Sequence, residues 1–496
     1  MNNTFSDKLK SLFTSKTFYR FLPLVFIFIL FFFFAFYDQS SYYAEENAKC
    51  SELLTISAFL LSGAAVFVLY YKQKLTYDNI IMLLLICGFV LRLSYAIKYH
   101  YSVNQHDVEN LESNGHLAYI YSIYNGGLPD HNDWQFSHPP LHHLLAALSM
   151  HISEAFGFTV GRAFENIQLL SVLYSTLTML AGYEIFKLLN LKDRYLVLCV
   201  ALLCFHPTFF ILAGSINNDI LTIMLSTFAI LFILKWWGNP SIKYALLCGF
   251  CCGAAMMTKV SAALIVLIIA ISVLIRFFID KSFKFRHLVL QIVSFLIVLI
   301  PLGFWHPIRN YVLFCQPFGY VAPIPVTSAL YTGDISVFKR ILLPFSLDGF
   351  GVYTDVWNEY NLWQYLLRNS LFGEYNFGNE GIAIILVLAN LILIVLSLVA
   401  VVFLLLKRNA IKGTIIPLFI LFLVELAFFV YFNIAYPFGC SMDFRYIVPV
   451  LLSGFAFIGM FLSRLSLNYN RFFIVLEKAS VFTVITFCVL STIIMF

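Results

Sequence analysis

The chain is dominated by long unbroken runs of apolar residues separated by short polar segments. A helix needs about 20 apolar residues to cross the hydrocarbon core of a bilayer, and thirteen runs reach or approach that length. These runs are 20–37, 52–71, 78–98, 163–187, 195–213, 219–237, 242–258, 260–278, 288–304, 381–405, 413–433, 445–463 and 472–495. Because lipid cannot satisfy backbone polar groups, such runs span the bilayer as helices. The pattern predicts an all-α polytopic membrane protein with about thirteen transmembrane helices.

The spacing of the runs divides the chain into three parts. Residues 1–77 hold the first two runs and are predicted to form a transmembrane hairpin. Residues 78–463 form the transmembrane core, and residues 464–496 add a C-terminal transmembrane helix. The core has two long connections, at 99–162 and 305–380, where folded loops have room to form.

Both long connections contain aromatic and proline-rich stretches that suit packing onto a membrane surface. Proline is well tolerated in the first turn of a helix, because its missing N–H group has no partner there in any case. The pair Pro139 and Pro140 therefore predicts an interfacial helix from about 139 to 156. The expected architecture is a helical bundle with interfacial helices in its two long loops.

Composition narrows the classes of protein that the chain can be. Hydrophobic residues make up 61% and charged residues 11%, against roughly 45–50% and about 25% in ordinary soluble domains. A soluble fold cannot cover so much apolar surface with so few polar residues. These values exclude a soluble enzyme, a disordered chain and a nucleic-acid-binding protein, and they leave membrane lipids as the expected surroundings. The net charge of +5 indicates little about partners.

The distribution of Lys and Arg predicts the orientation of the chain. When the N-terminus is placed in the cytoplasm and the spans alternate, most of the 31 basic residues fall in short cytoplasmic segments. This is the bias that the positive-inside rule describes. Both long loops then face outward, and most acids and histidines lie with them. We expect a multi-pass plasma-membrane protein whose chemistry takes place on the extracytoplasmic side.

The first candidate for chemistry is Asp107, which follows the third apolar run in the segment V-N-Q-H-D-V-E-N. A carboxylate just above the membrane, flanked by His106 and Glu109, is suited to act as a general base. The alternative is an ordinary solvated loop acid, since functional acids with perturbed pKa values are a minority.

A second candidate is the histidine-rich stretch from Gly126 to His143. Imidazole and carboxylate groups are suitable metal ligands, so a divalent metal is conceivable there. The spacing matches no recognised zinc motif, and interfacial hydrogen bonding explains the stretch better. We therefore expect no metal and no cofactor. The residues concerned are Asp130, His131, Asp133, His138 and His142.

A third group combines one acid with three cations near the outward ends of different spans. Asp219, in the short N-N-D turn, is predicted to cap the next helix, to line the same cavity as Asp107, or both. Lys259, Arg309 and Arg445 lie where a lipid phosphate would be. Snorkelling, or pairing of Arg445 with Asp443, is the alternative reading. Because Arg binds phosphate through a two-pronged fork, the three cations favour an anionic lipid ligand.

The ordered set of these segments resembles the family 39 glycosyltransferases of the GT-C membrane superfamily, which includes protein O-mannosyltransferases and the aminoarabinose transferases of lipid A. The resemblance begins with an acid in the first long loop and covers roughly residues 78–463. The segments that follow, in family order, are H-P-P-L-H-H at 138–143, N-N-D-I-L at 217–221, T-K at 258–259, W-H-P-I-R-N-Y at 305–311 and D-F-R-Y-I-V-P at 443–449.

This resemblance implies an inverting transfer of a sugar from a polyprenyl-phosphate donor to an extracytoplasmic hydroxyl. Asp107 takes the position of the catalytic base. Arg309, Arg445 and Lys259 would stabilise the phosphate leaving group, and Asp219 would orient a substrate. The remaining residues expected to contact substrate are His106, Glu109, Asp130, His138 and His142. The segment H-D-V-E lacks the paired acids of protein mannosyltransferases, so the acceptor implied is a cell-envelope glycan or lipid.

Two alternatives stay open at this point. A transporter or flippase for a lipid-linked or anionic substrate would also have many spans, but it predicts a site at the bilayer midplane and repeated halves. Glu425 is the main acid deep within an apolar run, and the sequence has no internal repeat. A related polymerase or ligase acting on lipid-linked glycans would keep the outward-facing site and change only the donor.

Overall fold

The computed structural model describes residues 44–111, 114–129, 134–279, 284–345, 351–406, 413–466 and 471–496. Of the described residues, 77% are helical, and in these ranges the extended pairing is a single isolated bridge between Tyr331 and Phe438. The α-helices are α1 Ala44–Tyr71, α2 Tyr77–Lys98, α3 His116–Tyr124, α4 Leu141–Ala155, α5 Val160–Leu188, α6 Asp193–Phe205, α7 Pro207–Gly214, α8 Asp219–Gly238, α9 Ile242–Met256, α10 Ala263–Ile279, α11 Phe285–Phe314, α12 Leu362–Phe372, α13 Glu380–Leu406, α14 Ile416–Ala435, α15 Val450–Leu465 and α16 Arg471–Met495.

The all-α membrane architecture predicted from the apolar runs is confirmed. In the described ranges, ten helical segments are long and apolar enough to cross a membrane, and α9 and α15 are shorter apolar helices. Each of these twelve matches one predicted run. The first predicted run, 20–37, lies outside the described residues, so the total of about thirteen stays a prediction.

Short polar side chains set the starts of several helices. Thr76 accepts a hydrogen bond from the Asn79 backbone N–H at the start of α2. Asn361 accepts one from the Gln364 N–H at the start of α12. Such caps satisfy backbone donors that have no partner inside the helix. They fix where α2 and α12 begin.

The span predicted at 195–213 is two helices, α6 and α7, separated at Pro207. Proline has no N–H group to donate to the carbonyl four residues earlier, which is that of Leu203. The buried guanidinium of Arg92 on α2 replaces that donor and also binds the neighbouring Cys204 carbonyl. A charged side chain inside a span therefore stabilises a broken helix.

The α9–α11 pair packs closely through two glycines spaced four residues apart. A Cβ atom on Gly249 would lie 2.4 Å from the Phe295 carbonyl oxygen, and one on Gly253 would lie 2.8 Å from Leu302 Cβ. Small residues at this spacing let helix backbones approach each other in membranes. The stretch containing Cys248, Cys251 and Cys252 is thus part of a packing surface, and all three thiols are free.

One predicted boundary is wrong. The second long loop was expected to begin at 305, but α11 continues to Phe314 and contains Pro301 and Pro307. Proline disturbs a helix without always ending it, because neighbouring groups in a membrane protein can compensate for the lost hydrogen bond. The correction places Arg309 on the last turns of α11 and leaves 315–379 as the second long connection.

The two long connections, 99–159 and 315–379, meet at one end of the bundle, which we call the loop face. Helix α4 lies in the first connection, within the range predicted for an interfacial helix. Its exposed residues Leu144, Leu148 and Ile152 are four positions apart and form one apolar stripe. This stripe is suited to contact lipid, and the position of α4 at the membrane interface stays a prediction.

Candidate functional site

Arg445 is the centre of a partly buried ionic cluster at the loop face. Its Nη1 lies 3.0 Å from Asp107 Oδ2 and 3.4 Å from Asp219 Oδ2, and its Nε lies 3.2 Å from Asp443 Oδ2. Three segments far apart in sequence therefore meet at one guanidinium. The structure brings together the predicted residues Asp107, Asp219 and Arg445, and it also contains the pair with Asp443 that was the alternative reading.

Asp219 links this cluster to a second cation. Its Oδ1 accepts a hydrogen bond from Lys259 Nζ, while its backbone N–H donates to Asn217 Oδ1 at the start of α8. Asn218 Nδ2 donates to the Thr258 carbonyl, which ties the two loop-face turns together. The prediction that Asp219 caps the helix is wrong, because the N-cap of α8 is Asn218 and the Asp219 side chain contacts Lys259 and Arg445 instead. The alternative, that Asp219 lies beside Asp107, agrees with the structure.

Tyr446 lies beneath both cations. The centroid of its ring is 4.8 Å from Lys259 Nζ and 5.4 Å from the guanidinium carbon of Arg445. The negative face of an aromatic ring attracts a cation, and the attraction is larger when water is excluded. Tyr446 therefore helps to hold Lys259 and Arg445 side by side, as a binding site for an anion requires.

The backbone of Asp107 is held in an unusual conformation. Its φ is 57°, in the left-handed region that residues other than glycine seldom adopt, and Glu109 has a φ of 53°. The Asp107 carbonyl accepts a hydrogen bond from the His116 N–H at 2.9 Å, and the next carbonyl accepts from Leu117. These two bonds to the start of α3 fix the turn that directs Asp107 into the cluster.

The electrostatics of the cluster favour the ionised form of Asp107. Burial alone would raise the pKa of the Asp107 carboxyl, but the positive charge of Arg445, with smaller contributions from His116 and His106, lowers it to about 2. In this state Asp107 is fully ionised at neutral pH. It is also a weak base, because Arg445 stabilises its negative charge.

His106 lies between two further carboxylates. Its Nδ1 is 3.5 Å from Glu374 Oε2 and 3.9 Å from Asp443 Oδ2, and its ring is buried. Burial and Arg445 lower the pKa of His106, but the two carboxylates outweigh them and raise it above its usual value. Tyr365 donates a hydrogen bond to Glu374 Oε1 from the other side. His106, Glu374 and Asp443 each offer one atom that could bind a metal. These three atoms lie within 4.8 Å of one another, close enough to hold a metal ion.

Three buried histidines and the partly buried His138 line the wall beside the acids. His116 Nδ1 and His143 Nε2 are 2.9 Å apart, and the ring of His143 stacks on that of Tyr119 at 3.9 Å. Burial is the main cause that lowers the pKa of both His138 and His142 to about 4. These two predicted residues are therefore neutral at physiological pH.

Two other predicted residues, Arg309 and Glu109, are not part of the ionic cluster, and a third is not among the described residues. Arg309 donates a hydrogen bond to Asn310 Oδ1 and lies 5.3 Å from the centroid of the Phe314 ring. Glu109 is exposed beside Asp107. Asp130 lies outside the described residues, together with His131 and Asp133.

Sequence reasoning missed Glu374 and Tyr446, and it considered Asp443 only as a partner of Arg445. Asp443 and Tyr446 flank Arg445 in the segment D-F-R-Y, so that segment already contained a signal for them. Glu374 follows Gly373 at the end of α12, where a φ of 58° and a ψ of −138° make a turn that only glycine adopts easily. Without the fold, nothing connects this turn to residue 106.

One family model matches a segment of the chain. Residues 137–305 match the model described as dolichyl-phosphate-mannose-protein mannosyltransferase, which is roughly a third of the chain and includes Asp219 and Lys259. No curated protein matches the chain.

Two solved structures of ArnT from Cupriavidus metallidurans are similar to this chain. The apo crystal structure has 15% sequence identity and a TM-score of 0.44, with 82% of this chain and 59% of that chain covered. The crystal structure bound to undecaprenyl phosphate has 15% identity and a TM-score of 0.48, with 84% and 75% covered. The chain therefore spans about three fifths of the first of these structures.

Proposed function

We propose that the protein is a glycosyltransferase that moves a sugar from a polyprenyl-phosphate donor to an acceptor hydroxyl on the extracytoplasmic side of the plasma membrane. The observation that carries the proposal is the partly buried pair of cations, Arg445 and Lys259, beside Asp107 and Asp219 at the loop face. Such a site offers positive charge for a phosphate and a carboxylate for a hydroxyl group. The acceptor class that fits the proposal is a cell-envelope glycan or lipid.

Arg445 and Lys259 are suited to bind the phosphate of the donor. A guanidinium can bind two phosphate oxygens at once, and charge-assisted hydrogen bonds of this kind are among the strongest in proteins. Negative charge builds up on the leaving phosphate as the bond to the anomeric carbon breaks. Cations already fixed in position stabilise that charge without reorganising. Arg309, at the end of α11, is a further cation for the phosphate or the acceptor.

Asp107 is the proposed general base of an inverting reaction. Its carboxylate would take the proton of the acceptor hydroxyl as that oxygen attacks the anomeric carbon from the face opposite the phosphate. Asp219, held by Lys259, would orient the donor. The substrate-facing positions that complete the proposal are His106, Glu109, Asp130, His138 and His142.

The low pKa of Asp107 implies that donor binding activates the base. The positive charge of Arg445, with smaller contributions from His116 and His106, holds the pKa of that carboxyl at about 2. A donor phosphate bound to Arg445 would compete for the same N–H groups and add negative charge nearby. Both effects raise the pKa of Asp107 towards its ordinary value near 4. The base would thus gain strength only when a donor is present, which limits unproductive proton transfer.

The proposal is tested by the substitution Asp107→Asn. Membranes containing the protein would be given a panel of radiolabelled polyprenyl-phosphate sugars, and label transferred to membrane or wall material would be counted. We expect transfer by the wild type and a loss of about 10²-fold or more in the variant, since a positioned base contributes that much.

A matched control is Glu154→Gln, which removes a partly exposed carboxylate on α4 beside His151. It should transfer label at the wild-type rate. Wild-type activity in Asp107→Asn would remove Asp107 from the mechanism. No transfer by folded wild-type protein across the panel would contradict the polyprenyl-phosphate donor and favour a lipid-pyrophosphate donor or transport.

A further inference from the structure

Next to the Arg445 cluster, His106, Glu374 and Asp443 form a group whose geometry matches a metal site. A four-coordinate ion with bonds of about 2.1 Å places its ligand atoms about 3.4 Å apart. His106 Nδ1 lies 3.5 Å from Glu374 Oε2 and 3.9 Å from Asp443 Oδ2. All three ligand atoms lie within 4.8 Å of one another, so small side-chain movements would close the site.

Asp443 provides an independent sign that a ligand is expected there. Its side chain is 3% exposed, and in the described part of the chain its Oδ2 atom accepts no hydrogen bond. Arg445 Nε is 3.2 Å away, but it too forms no hydrogen bond, because the two groups are poorly aligned. A buried carboxylate oxygen without a hydrogen bond is costly, and it faces the imidazole nitrogen of His106.

The charges around this group favour a divalent cation. Four carboxylates belong to the connected cluster, those of Asp107, Asp219, Glu374 and Asp443, against the permanent charges of Arg445 and Lys259. With His106 neutral, as a metal ligand must be, the described cluster has two uncompensated negative charges. Buried charges require partners, and one divalent ion would supply the balance.

The elements that carry the three ligands are fixed independently of any metal. Asn369 on α12 accepts a hydrogen bond from the Phe444 N–H, which joins α12 to the segment containing Asp443. Tyr365, also on α12, orients Glu374. These hydrogen bonds hold the segments that carry Glu374 and Asp443 in place without a metal ion, as a preorganised metal site requires.

We propose that His106, Glu374 and Asp443 bind one divalent transition-metal ion. One imidazole and two carboxylates form a mixed nitrogen and oxygen ligand set that suits ions such as Mn²⁺ and Zn²⁺. Three protein ligands leave coordination positions open, as in sites where a metal contacts substrate. The inference differs from the sequence-based expectation of no metal, which considered the 126–143 stretch. It does not depend on the proposed transfer reaction, because binding can be measured without donor.

The test is a titration of the purified full-length protein, in lipid nanodiscs and without donor, with Mn²⁺ followed by electron paramagnetic resonance. We expect one saturable equivalent and nitrogen hyperfine coupling from the His106 ring. The variant Glu374→Gln should weaken the binding by 10-fold or more, and His106→Gln should remove the nitrogen coupling. Competition with Zn²⁺ should displace the Mn²⁺ from the same site.

The matched control is Glu165→Gln. Glu165 also lies beside a partly buried histidine, with His100 Nε2 3.6 Å from its Oε1. Its other charged contact is Arg162 rather than a second acid. This variant should bind Mn²⁺ as the wild type does. Absence of a saturable equivalent in the wild type would overturn the proposal, as would bound Mn²⁺ without nitrogen coupling. Both of these overturning outcomes are measured on the wild-type protein, so neither depends on the folding of a variant or on transfer activity.

Discussion

The guanidinium of Arg445 has one positive charge, yet three carboxylates lie within 3.4 Å of it. Because it is shared, Arg445 does not neutralise any one of them fully. Asp107 and Asp219 compete for the same Nη1 atom, while Asp443 faces Nε. When an anion binds to Arg445, one of the three carboxylates can therefore lose its contact with the guanidinium while the other two keep theirs.

The residues of this site differ in how far the sequence predicts them. Asp107, Asp219, Lys259 and Arg445 are polar groups at the ends of apolar runs, where a charge has a cost and so signals a role. Glu374 has no such mark, because it lies in a long polar loop in which acids are common. Its contact with His106 is determined by the way α12 docks, and local sequence does not contain that information.

Burial of His142 predicts a loss of stability in acid. Both of its ring nitrogens are buried without a hydrogen-bond partner in the described residues, and burial lowers its pKa to about 4. The unfolded chain binds a proton near pH 6.5 and the folded chain does not. Stability is therefore unaffected above pH 6.5 and decreases as the pH falls from 6.5 to 4, by about 1.4 kcal/mol per unit.

The measurement is the apparent melting temperature in detergent between pH 8 and pH 5. The variant His142→Asn should show a shallower decrease than the wild type, since one protonation site is removed. The partly buried His138 and the remaining buried histidines would retain part of the slope. Parallel curves for the two proteins would contradict a contribution from His142.

At the scale of the helix, α6 and α7 show how a bundle tolerates a break. The apolar run 195–213 predicted one span, and the segment Asp193–Gly214 is long and apolar enough to cross a membrane, but Pro207 interrupts the hydrogen-bond ladder. A run of apolar residues indicates a membrane span, but it does not show whether that span is one continuous helix. The same limit explains α11, where the apolar run ends at 304 and the helix continues to Phe314.

The substitution Arg92→Met should destabilise the bundle. It removes hydrogen bonds to the carbonyls of Leu203 and Cys204 and to the Ser175 hydroxyl, all inside the protein. An unsatisfied buried polar group costs about 1–3 kcal/mol, so we expect a loss of at least that size. Thermal unfolding of the purified protein measures it.

The control for this substitution is Arg92→Lys, which keeps a donor and should lose less stability than Arg92→Met. Equal stability of Arg92→Met and the wild type would show that the carbonyls at the break do not need Arg92. The comparison separates the hydrogen bonds from the aliphatic packing that Met retains.

At the scale of the whole molecule, the two long connections and the short turns between spans meet at the loop face. Apolar runs predicted this grouping by counting crossings, since alternate connections must share a side. The exact number of spans and the packing of helices against one another are not accessible in the same way. They depend on shape complementarity, for example that of Gly249 and Gly253 against α11.

The orientation of the bundle can be tested with Cys315, which is exposed at the loop-face end of α11. If the loop face is extracytoplasmic, a membrane-impermeant thiol reagent should label Cys315 in intact cells, and Cys315→Ser should reduce the labelling. A cysteine placed by Gln73→Cys, in the turn between α1 and α2 at the opposite end, should react only after permeabilisation. The reverse pattern would invert the predicted topology.

The shared position of Arg445 also bears on how this protein can evolve. Because the acids of the cluster share one cation, the ionisation of each acid depends on the others. A substitution at one of these positions therefore changes which residues are tolerated at the others. Asp107, Asp219 and Asp443 are therefore expected to be inherited as a set with Arg445. A new substrate preference would arise more readily at the exposed rim, near Glu109, than among these four residues.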